Sequence, residues 1–471
     1  MNPNTTHKHS IKVIISEALM FLAVILTVAI LALLVSGYWL SSDFKVERNG
    51  MLQVSSIPTG ANIEIDGQPS SWLERTNSSK ILSSGEHSVK LTKEGYDSWS
   101  KTINISEGLL YRLLYPRLFL QQRFTEKILD VGTYTGATIS PDYNSLVLFN
   151  DTTNWGFVNL DTDKPTIQSF DVSSLFQSPS ADGGSNAAFL GEITSADWDF
   201  DSSHILIATK HEDSTEWILL DVHNINKSIN LTKEFDVDFS DIEIMDNNSN
   251  TLLAIRDNNL YKMDVSSRAL SAVLVKNVND FDHYHNEIVF SATRESVDNQ
   301  VPAQYYVGYL KLGNDKITEL EQIEAPAKVI ISKFYDEKNI IVTQYNKVTI
   351  HNIESYDDAS KEYYLPFSPN QIKAGYSGEF LSFSQDNNMA SLDMEANTVR
   401  EWTIEDHHAW LDGSMIYAVS DGELVVYDFD GLNRRAIAKN VSSHFPVTIT
   451  SDKWLYYFSD GELIREWLIN K

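Results

Sequence analysis

The hydrophobic and polar positions divide the chain into three stretches of different periodicity. From Ala18 to Val35 every residue is apolar except Thr27, and the run continues to Leu40. Between about residues 50 and 120 apolar and polar residues alternate, and from about 124 short apolar runs recur in pairs. A long apolar run is typical of a membrane helix, whereas alternation and short apolar runs are typical of strands. The pattern predicts an all-β protein behind one N-terminal transmembrane helix.

The apolar run is long enough to cross a bilayer. As a helix, its 23 residues to Leu40 span about 34 Å, against about 30 Å of hydrocarbon. We predict a cytoplasmic tail over 1–16 and a membrane anchor over 17–40. Lys and Arg number two on each side of the run, so the orientation depends on the α-amino group and the tail histidines, which favour an inside N-terminus.

Two alternatives to an anchor remain. One is a cleaved signal peptide with Val35-Ser36-Gly37 as its small-residue site, and the other is a buried core helix. The retained anchor is favoured because a signal-peptide core usually has only about 7–15 apolar residues. The expected location is therefore the plasma membrane, crossed once, with the C-terminal domains extracytoplasmic.

Strand-like alternation follows the anchor in four short runs, with turn residues between them. Asp66-Gly67 has the composition of a hairpin turn, and Gly60 and Gly85 each precede a strand, where glycine adopts positive φ at low cost. Four strands with one apolar face predict a small β-sandwich over about 50–120. The four runs are Leu52–Ser55, Ala61–Ile65, His87–Leu91 and Trp99–Ile105.

This stretch resembles a PEGA domain. The residues that carry the resemblance are Ser55–Ala61, Ile63–Gly67, Gly85-Glu86-His87 and Gly95-Tyr96, although Thr59 stands where the naming tetrapeptide has Glu. The Thr-Pro turn of the family is also missing between Gln68 and Leu82. The resemblance implies a β-sandwich of bacterial surface and envelope proteins with a structural or adhesive role and no catalysis.

From about 124 to 471 a pattern of two strands recurs eight times. Spacings between successive pairs run from 35 to 59 residues, which brackets the roughly 40–45 residues of a four-stranded propeller blade. We predict a β-propeller over 124–471 with eight blades, or seven. The first strands of the pairs are Ser145–Phe149, His204–Ala208, Thr251–Ile255, Glu287–Phe290, Asn339–Val342, Phe380–Phe383, Met415–Ala418 and Trp454–Phe458.

The last repeat has no fourth strand before Lys471, so Phe124–Val131 is predicted to supply it and to join the two ends of the repeat array. Two short segments, Ile139–Asp142 and Tyr427–Arg435, resemble the repeat of Tol-type periplasmic propellers. That resemblance implies the propeller class.

The amino-acid composition excludes several classes of site and partner. The chain has 37 Lys and Arg against 65 Asp and Glu, a net charge of −28, and no cysteine. The absence of cysteine excludes disulfides, zinc ribbons, thiolate nucleophiles and iron–sulfur clusters. The negative charge argues against a protein that binds the phosphates of nucleic acid or of anionic lipid. The excess is confined to residues 124–471, with 25 basic and 55 acidic side chains, whereas 49–123 is nearly balanced with eight and seven.

Two groups of residues are candidate sites. Asp197, Asp199 and Asp201 alternate as hard oxygen ligands for Ca²⁺, but the Gly and Glu of an EF-hand are absent, so a turn before the next strand is the competing interpretation. The second group is Glu405-Asp406-His407-His408, with His283 and His285 elsewhere; adjacent histidines on a strand point to opposite faces, so one of the pair at most joins a given site.

The chain contains none of the short motifs that mark common enzyme classes: a Gly-x-Ser-x-Gly elbow, a phosphate-binding loop or His-Glu-x-x-His. We therefore expect that the protein is not an enzyme and binds no cofactor. We expect a surface-displayed binding or scaffold protein of the bacterial envelope. Its partner would be an envelope protein or a cell-wall polymer. A propeller enzyme acting on envelope glycans or peptides is the alternative, and a tail of about 16 residues is too short for the signalling domain of an envelope sensor.

Overall fold

The computed structural model separates the chain into two compact units, Met1–Gln122 and Arg123–Lys471. The division falls beside the boundary at 124 that the sequence suggests. The residues that the structure describes are 4–35, 38–40, 46–70, 75–150, 153–176, 191–211, 214–245, 248–294, 303–314, 316–353, 360–375, 377–405 and 407–469.

The N-terminal apolar run is helical. Helix α1 (Asn4–Val35) contains an 18-residue window, Ile15–Ala32, with a mean hydropathy of 2.4 and none of it buried. The hydroxyl of Thr27, the polar residue in the run, donates to the carbonyl of Ala23 at 2.8 Å, so its hydrogen bond is made inside the helix.

The helix is offset from the predicted anchor. It begins within the predicted tail, and it ends before the poor helix formers Ser36-Gly37. Beyond them β1 (Tyr38–Leu40) pairs antiparallel with β2 (Val46–Arg48), so the last residues of the predicted 17–40 anchor are extended.

The PEGA-like stretch is a two-layer sandwich. One sheet has the order β6-β3-β9 and the other β5-β4-β7-β8. All four predicted strands are present, and the glycines before β4 and at the start of β7, Gly60 and Gly85, have the expected positive φ of 81° and 125°. Leu52, Leu91 and Trp99 are almost completely buried between the sheets. The strands are β3 (Gly50–Val54), β4 (Asn62–Ile65), β5 (Gln68–Pro69), β6 (Ser78–Leu82), β7 (Gly85–Thr92), β8 (Trp99–Ile105) and β9 (Leu110–Leu113).

The second unit contains eight four-stranded antiparallel sheets among its described residues, called sheets 1 to 8 here. Strand β10 (Thr125–Asp130) precedes them and belongs to sheet 8. Sheets 1 to 4 comprise β11 (Gly136–Ile139), β12 (Ser145–Phe149), β13 (Asn154–Asn159), β14 (Ile167–Asp171); β15 (Glu192–Trp198), β16 (His204–His211), β17 (Ser214–Asp221), β18 (Ile229–Asn230); β19 (Asp241–Ile244), β20 (Thr251–Arg256), β21 (Asn259–Asp264), β22 (Ala269–Leu270); β23 (Val278–Tyr284), β24 (Glu287–Arg294), β25 (Gln304–Lys311) and β26 (Thr318–Ile323).

The remaining sheets repeat the same up-and-down order. A 3₁₀ turn, Ile225–Lys227, and a short helix α2 (Leu231–Phe235) flank β18 in sheet 2. Sheets 5 to 8 comprise β27 (Lys328–Phe334), β28 (Glu337–Gln344), β29 (Lys347–Asn352), β30 (Lys361–Tyr364); β31 (Gln371–Ala374), β32 (Phe380–Gln385), β33 (Asn388–Asp393), β34 (Thr398–Thr403); β35 (His408–Trp410), β36 (Met415–Ser420), β37 (Glu423–Asp428), β38 (Arg435–Ala438); and β39 (Thr448–Thr450), β40 (Trp454–Ser459), β41 (Glu462–Trp467) with β10.

The predicted strand pairs are the second and third strands of each sheet, which we call the middle strands. Their residues are buried on both faces, as in β12 and β13, and form the core between neighbouring sheets. Leu253 of sheet 3 packs with Phe290 of sheet 4, for example, and Ile341 of sheet 5 with Phe383 of sheet 6. Each such side chain contributes about 1.5–3 kcal/mol by leaving water, so the middle strands dominate the stability of the unit.

Sheet 8 is assembled from both ends of the second unit. Strand β10 pairs antiparallel with β41, from Thr125 opposite Glu466 to Asp130 opposite Glu462. The pairing predicted for Phe124–Val131 is confirmed. Sheet 8 also packs on sheet 1, where the hydroxyl of Tyr456 donates to the carbonyl of Leu160 at 3.1 Å.

Candidate functional site

The first strand of each sheet, which we call the inner strand, is more polar than the middle strands. In β19 and β23 acidic residues alternate with apolar ones, at Asp241 and Glu243 and at Asp280 and Asp282. Because successive side chains on a strand point to opposite faces, this spacing places each acidic pair on one face of its strand.

The inner strands of sheets 3 to 7 line one cavity of about 790 Å³, the inner-strand cavity. It is large enough for a ligand of drug size. Charged and polar groups from five sheets meet in it: Glu243, Asp280, Asp282, Lys328, Lys373 and His408.

Three side chains in this region could hold a metal ion. One donor atom each from Glu243, Asp282 and His283 lies within 4.8 Å of the other two. The Nδ1 atom of His283 is 3.0 Å from Oε2 of Glu243, and His283 is nine-tenths buried. Two ligands at right angles on an ion with bonds of about 2.1 Å lie about 3.0 Å apart, so this donor set can hold a transition metal without moving that pair.

The two aspartates of β23 also connect sheet 4 to sheet 5. Asp280 accepts the backbone N–H of Val329 at 2.8 Å, and Asp282 accepts that of Ile331 at 2.8 Å. The acidic side chains therefore replace ladder partners that the edge of β27 would otherwise lack.

Crowding of these carboxylates in a partly enclosed space disfavours their ionisation. Burial, together with the charge of Glu243, raises the pKa of Asp282 to about 7, although two backbone N–H groups oppose the shift. Burial, together with Asp280 and Asp197, raises the pKa of Asp241 to about 6. Burial also raises the pKa values of Glu243 and Asp280. Near neutral pH the cluster therefore shares protons, and a bound cation would displace them.

Basic groups offset only part of this charge. Lys328 Nζ lies 3.5 Å from Asp280, and the positive charge of Lys373 acts on Asp197. Desolvation lowers the pKa of Lys373 and raises that of Asp197, because it disfavours the charged form of each side chain. The charged residues that line the cavity are four carboxylates (Glu243, Asp280, Asp282 and Asp386) and two lysines, beside one histidine, so its electrostatic preference is for cations.

The structure assigns different roles to the three candidate calcium ligands. Asp197 lies on inner strand β15, and Asp201 is exposed in the following turn. Asp199 is buried and holds the turn closed: it accepts the backbone N–H groups of Ser203 and His204 at 2.7 and 2.9 Å, and its other oxygen lies 2.9 Å from His204 Nδ1. These contacts are those of the competing turn interpretation, and calcium binding stays a prediction.

The histidine candidates separate in the same way. His408 lines the inner-strand cavity, whereas its neighbour His407 is exposed with a φ of 57°. Glu405 accepts the hydroxyl of Tyr427 at 2.6 Å, and Asp406 lies outside the described residues. His285 is exposed and stacks near Tyr284. One of the adjacent pair thus reaches the cavity.

The sequence reasoning missed most of the acidic residues of the cavity. It identified His283, His408 and Asp197 but not Glu243, Asp280 or Asp282. The signal was present as Asp-x-Glu and Asp-x-Asp, which begin ten and seven residues before the apolar strands of repeats three and four, but acidic residues near turns are so common in this chain that the spacing did not stand out.

Comparison with known proteins bears on the fold. The PEGA domain family matches residues 49–116, so the chain contains a PEGA domain, over well under half of its length. No functionally curated protein matches the chain.

Three solved structures are similar to the chain at low sequence identity and low TM-score. The Myceliophteria thermophila Cps50 (Swd1) β-propeller domain has 11% identity and a TM-score of 0.41, covering 74% of this chain and 100% of that one. Kluyveromyces lactis Hsv2p has 9% identity and a TM-score of 0.42, covering 65% and 98%. Apo AztD from Citrobacter koseri has 10% identity and a TM-score of 0.39, covering 81% and 96%. At these values the likeness says nothing about function.

Proposed function

We propose that the protein is a membrane-anchored, surface-displayed binding protein of the bacterial envelope, whose propeller captures a cationic ligand at its inner-strand cavity. The observation that carries the proposal is the cavity itself, with its excess of carboxylates and their raised pKa values. A cationic group of an envelope protein or cell-wall polymer, or a metal ion held on such a polymer, has the matching charge.

The anchoring part rests on helix α1. Its apolar window and the uncancelled charge of the preceding tail support a single crossing with the N-terminus inside. Protease added to intact cells, with any outer layer permeabilised, is expected to digest the propeller. Full protection would refute this topology.

We also infer that the eight sheets are the blades of one closed propeller, with seven blades as the disfavoured count. Supporting this, each of sheets 1 to 7 is contiguous in the chain, and sheet 8 packs on sheet 1 through Tyr456 and Leu160. A closed ring leaves the inner strands around one axis, which is where a propeller carries its ligand site.

Binding is tested with a cationic probe. The full-length chain should bind hexalysine in a calorimeter, and the affinity should fall as salt rises, because exposed charges are screened over about 8 Å at physiological salt. Asp280→Asn with Glu243→Gln should weaken binding roughly tenfold, or about 1.4 kcal/mol. The matched control is Glu401→Gln, on the exposed outer strand β34, which should leave the affinity unchanged. Binding that resists salt, or that responds equally to both variants, contradicts the proposal.

One observation favours the enzyme alternative. Burial raises the pKa of Asp282 to about 7, above the value of about 6 for Asp241, and a carboxyl group that holds its proton near neutral pH suits a general acid acting on a glycan or peptide. Turnover of envelope glycans or peptides that disappears in Asp282→Asn and survives in Glu401→Gln would establish this function instead.

A further inference from the structure

The outer face of the β6-β3-β9 sheet of the PEGA domain is divided into an apolar and a polar half. Met51 lies opposite Ile81 on one side and beside Leu110 on the other. Their exposed fractions are 41%, 62% and 37%. These three side chains form a continuous row across all three strands, which we call the apolar row.

The next row along the same face is polar. Two residues further along the strands, Gln53 lies opposite Ser79 and beside Arg112. The sheet therefore changes from apolar to polar within one strand repeat of about 7 Å. A protein-binding face is normally apolar at its centre and polar around it, whereas a face that is apolar at one end only matches a boundary between lipid and water.

The apolar end is the end at which the chain enters the domain. Met51 donates its backbone N–H to the carbonyl of Leu109 at 2.9 Å, and Gly108 donates to Asn49 at 3.0 Å, so the loop 106–109 lies beside the start of β3. Leu109, in this loop, is 63% exposed and lies at the same end of the domain as the apolar row.

The hairpin β1–β2 keeps this end close to helix α1. Tyr38 follows the helix end by three residues and pairs with Arg48, which precedes Met51 by three residues. Six extended residues and one interstrand step reach no more than about 25 Å. The apolar row is thus held near the end of the apolar helix, although about 16 residues of chain separate Val35 from Met51.

The charge at this end of the domain is compatible with contact with a lipid surface. Arg48 lies against Gly108 at the apolar end, with Glu107 in the same loop, and residues 49–123 are nearly neutral in contrast to the acidic propeller. A zwitterionic lipid surface is neither attracted nor repelled strongly by this end of the domain, so apolar insertion decides the contact.

We propose that the apolar row and Leu109 insert into the interface of the membrane that α1 crosses, so that the PEGA domain rests directly on the lipid. This inference depends on the anchoring in the proposed function. Interfacial segments insert about 5–10 Å into the headgroup boundary, a depth that side chains of Leu, Ile and Met reach while the polar row remains in water.

The test uses the absence of cysteine in the chain. Single variants Ile81→Cys and Leu109→Cys of the full-length protein are labelled with an environment-sensitive fluorophore and reconstituted into phosphatidylcholine nanodiscs. Ser79→Cys, on the same strand and face, is the near control, and Ser100→Cys, at the other end of the second sheet, is the distant one. Nitroxide lipids labelled near the headgroup should quench the probes at 81 and 109 several-fold more than the probe at 100, with 79 between them, and the emission at 81 and 109 should shift to the blue.

Each outcome decides a separate question. Equal quenching at all four positions in loaded nanodiscs overturns the lipid contact while leaving the anchor intact. A blue shift at 81 and 109 without lipid quenching also overturns it, because the row is then covered by protein, such as a second copy. Failure to enter nanodiscs, with release from cell membranes by alkaline carbonate, refutes the anchoring itself.

Discussion

The inner and middle strands of the second unit differ in the polarity of their residues. Middle strands such as β24 and β36 are buried almost throughout, whereas inner strands such as β19 and β23 present carboxylates to the inner-strand cavity. The middle strands lie between neighbouring sheets, where close packing leaves no water. The inner strands lie along the cavity, so charged residues there keep some contact with water and meet each other.

The difference separates stability from binding. Substitutions in the middle strands should change folding, and substitutions in the inner strands should change electrostatics with little loss of packing. One deletion and three substitutions test this division.

Deletion of Phe124–Val131 should have the largest effect. It removes β10 and exposes the edge of the middle strand β41. The loss in the free energy of unfolding should exceed the roughly 3–5 kcal/mol of a single large core truncation, as measured by chemical denaturation. Lys127→Ala, within the same strand but exposed, is the control and should leave the unfolding midpoint almost unchanged. An unchanged unfolding midpoint for the deletion would contradict the role of β10.

Phe290→Ala tests a middle strand at one residue. The ring is completely buried between sheets 3 and 4 and packs against Gly308, where any Cβ would collide with it. Truncation should lower the free energy of unfolding by about 3–5 kcal/mol. Tyr345→Ala, at a side chain that is 62% exposed, should change it by less than about 0.5 kcal/mol. Similar losses for the two variants would mean that middle-strand burial does not determine stability.

Asp199→Ala tests a buried aspartate that serves structure. The change leaves the N–H groups of Ser203 and His204 without their acceptor and should cost about 2 kcal/mol in denaturant unfolding. Asp201→Ala, in the exposed part of the same turn, should cost under about 0.5 kcal/mol. If added Ca²⁺ raises the unfolding midpoint of the wild type but of neither variant, these aspartates bind calcium as well as holding the turn.

Glu466→Gln tests a charged residue in a middle strand. Because middle strands are buried, we expect a charge there to lower the stability of the fold. Burial raises the pKa of Glu466 to about 7, against the opposing charges of Arg123 and Arg435. Between about pH 4.5 and 7 the unfolded state has released this proton while the folded state still holds it. The free energy of unfolding therefore falls as the pH rises, until the pH passes about 7. The variant should be more stable than wild type by about 1–2 kcal/mol at pH 9 and equal to it at pH 4.

The matched control for this pH dependence is Glu462→Gln, on the same strand but about one-third exposed beside Lys127. It should shift stability by less than about 1 kcal/mol at both pH values. Parallel curves for Glu466→Gln and wild type would show that the pKa of Glu466 is the same in the folded and unfolded states.

The amino-acid sequence determined the elements whose physical signal is local. The apolar run predicts helix α1, and the eight pairs of apolar runs all fall on middle strands. Turn chemistry was equally readable: Asp66-Gly67 adopts positive φ at both residues, 51° and 73°, as a tight hairpin requires. Even the long-range pairing of β10 with β41 followed from counting strands, because a repeat that lacks one strand must obtain it elsewhere.

Tertiary structure alone decided the candidate site and the apolar row. Asp199 and Asp282 are both acidic residues on or beside inner strands, yet one closes a turn and the other enters a cavity formed by five sheets. Met51, Ile81 and Leu110 are likewise separated by up to 59 positions in the chain and become neighbours only through strand register. A side chain's own strand shows which face it occupies, but what that face meets depends on residues far away in sequence, because sheet pairing and sheet packing bring distant segments together.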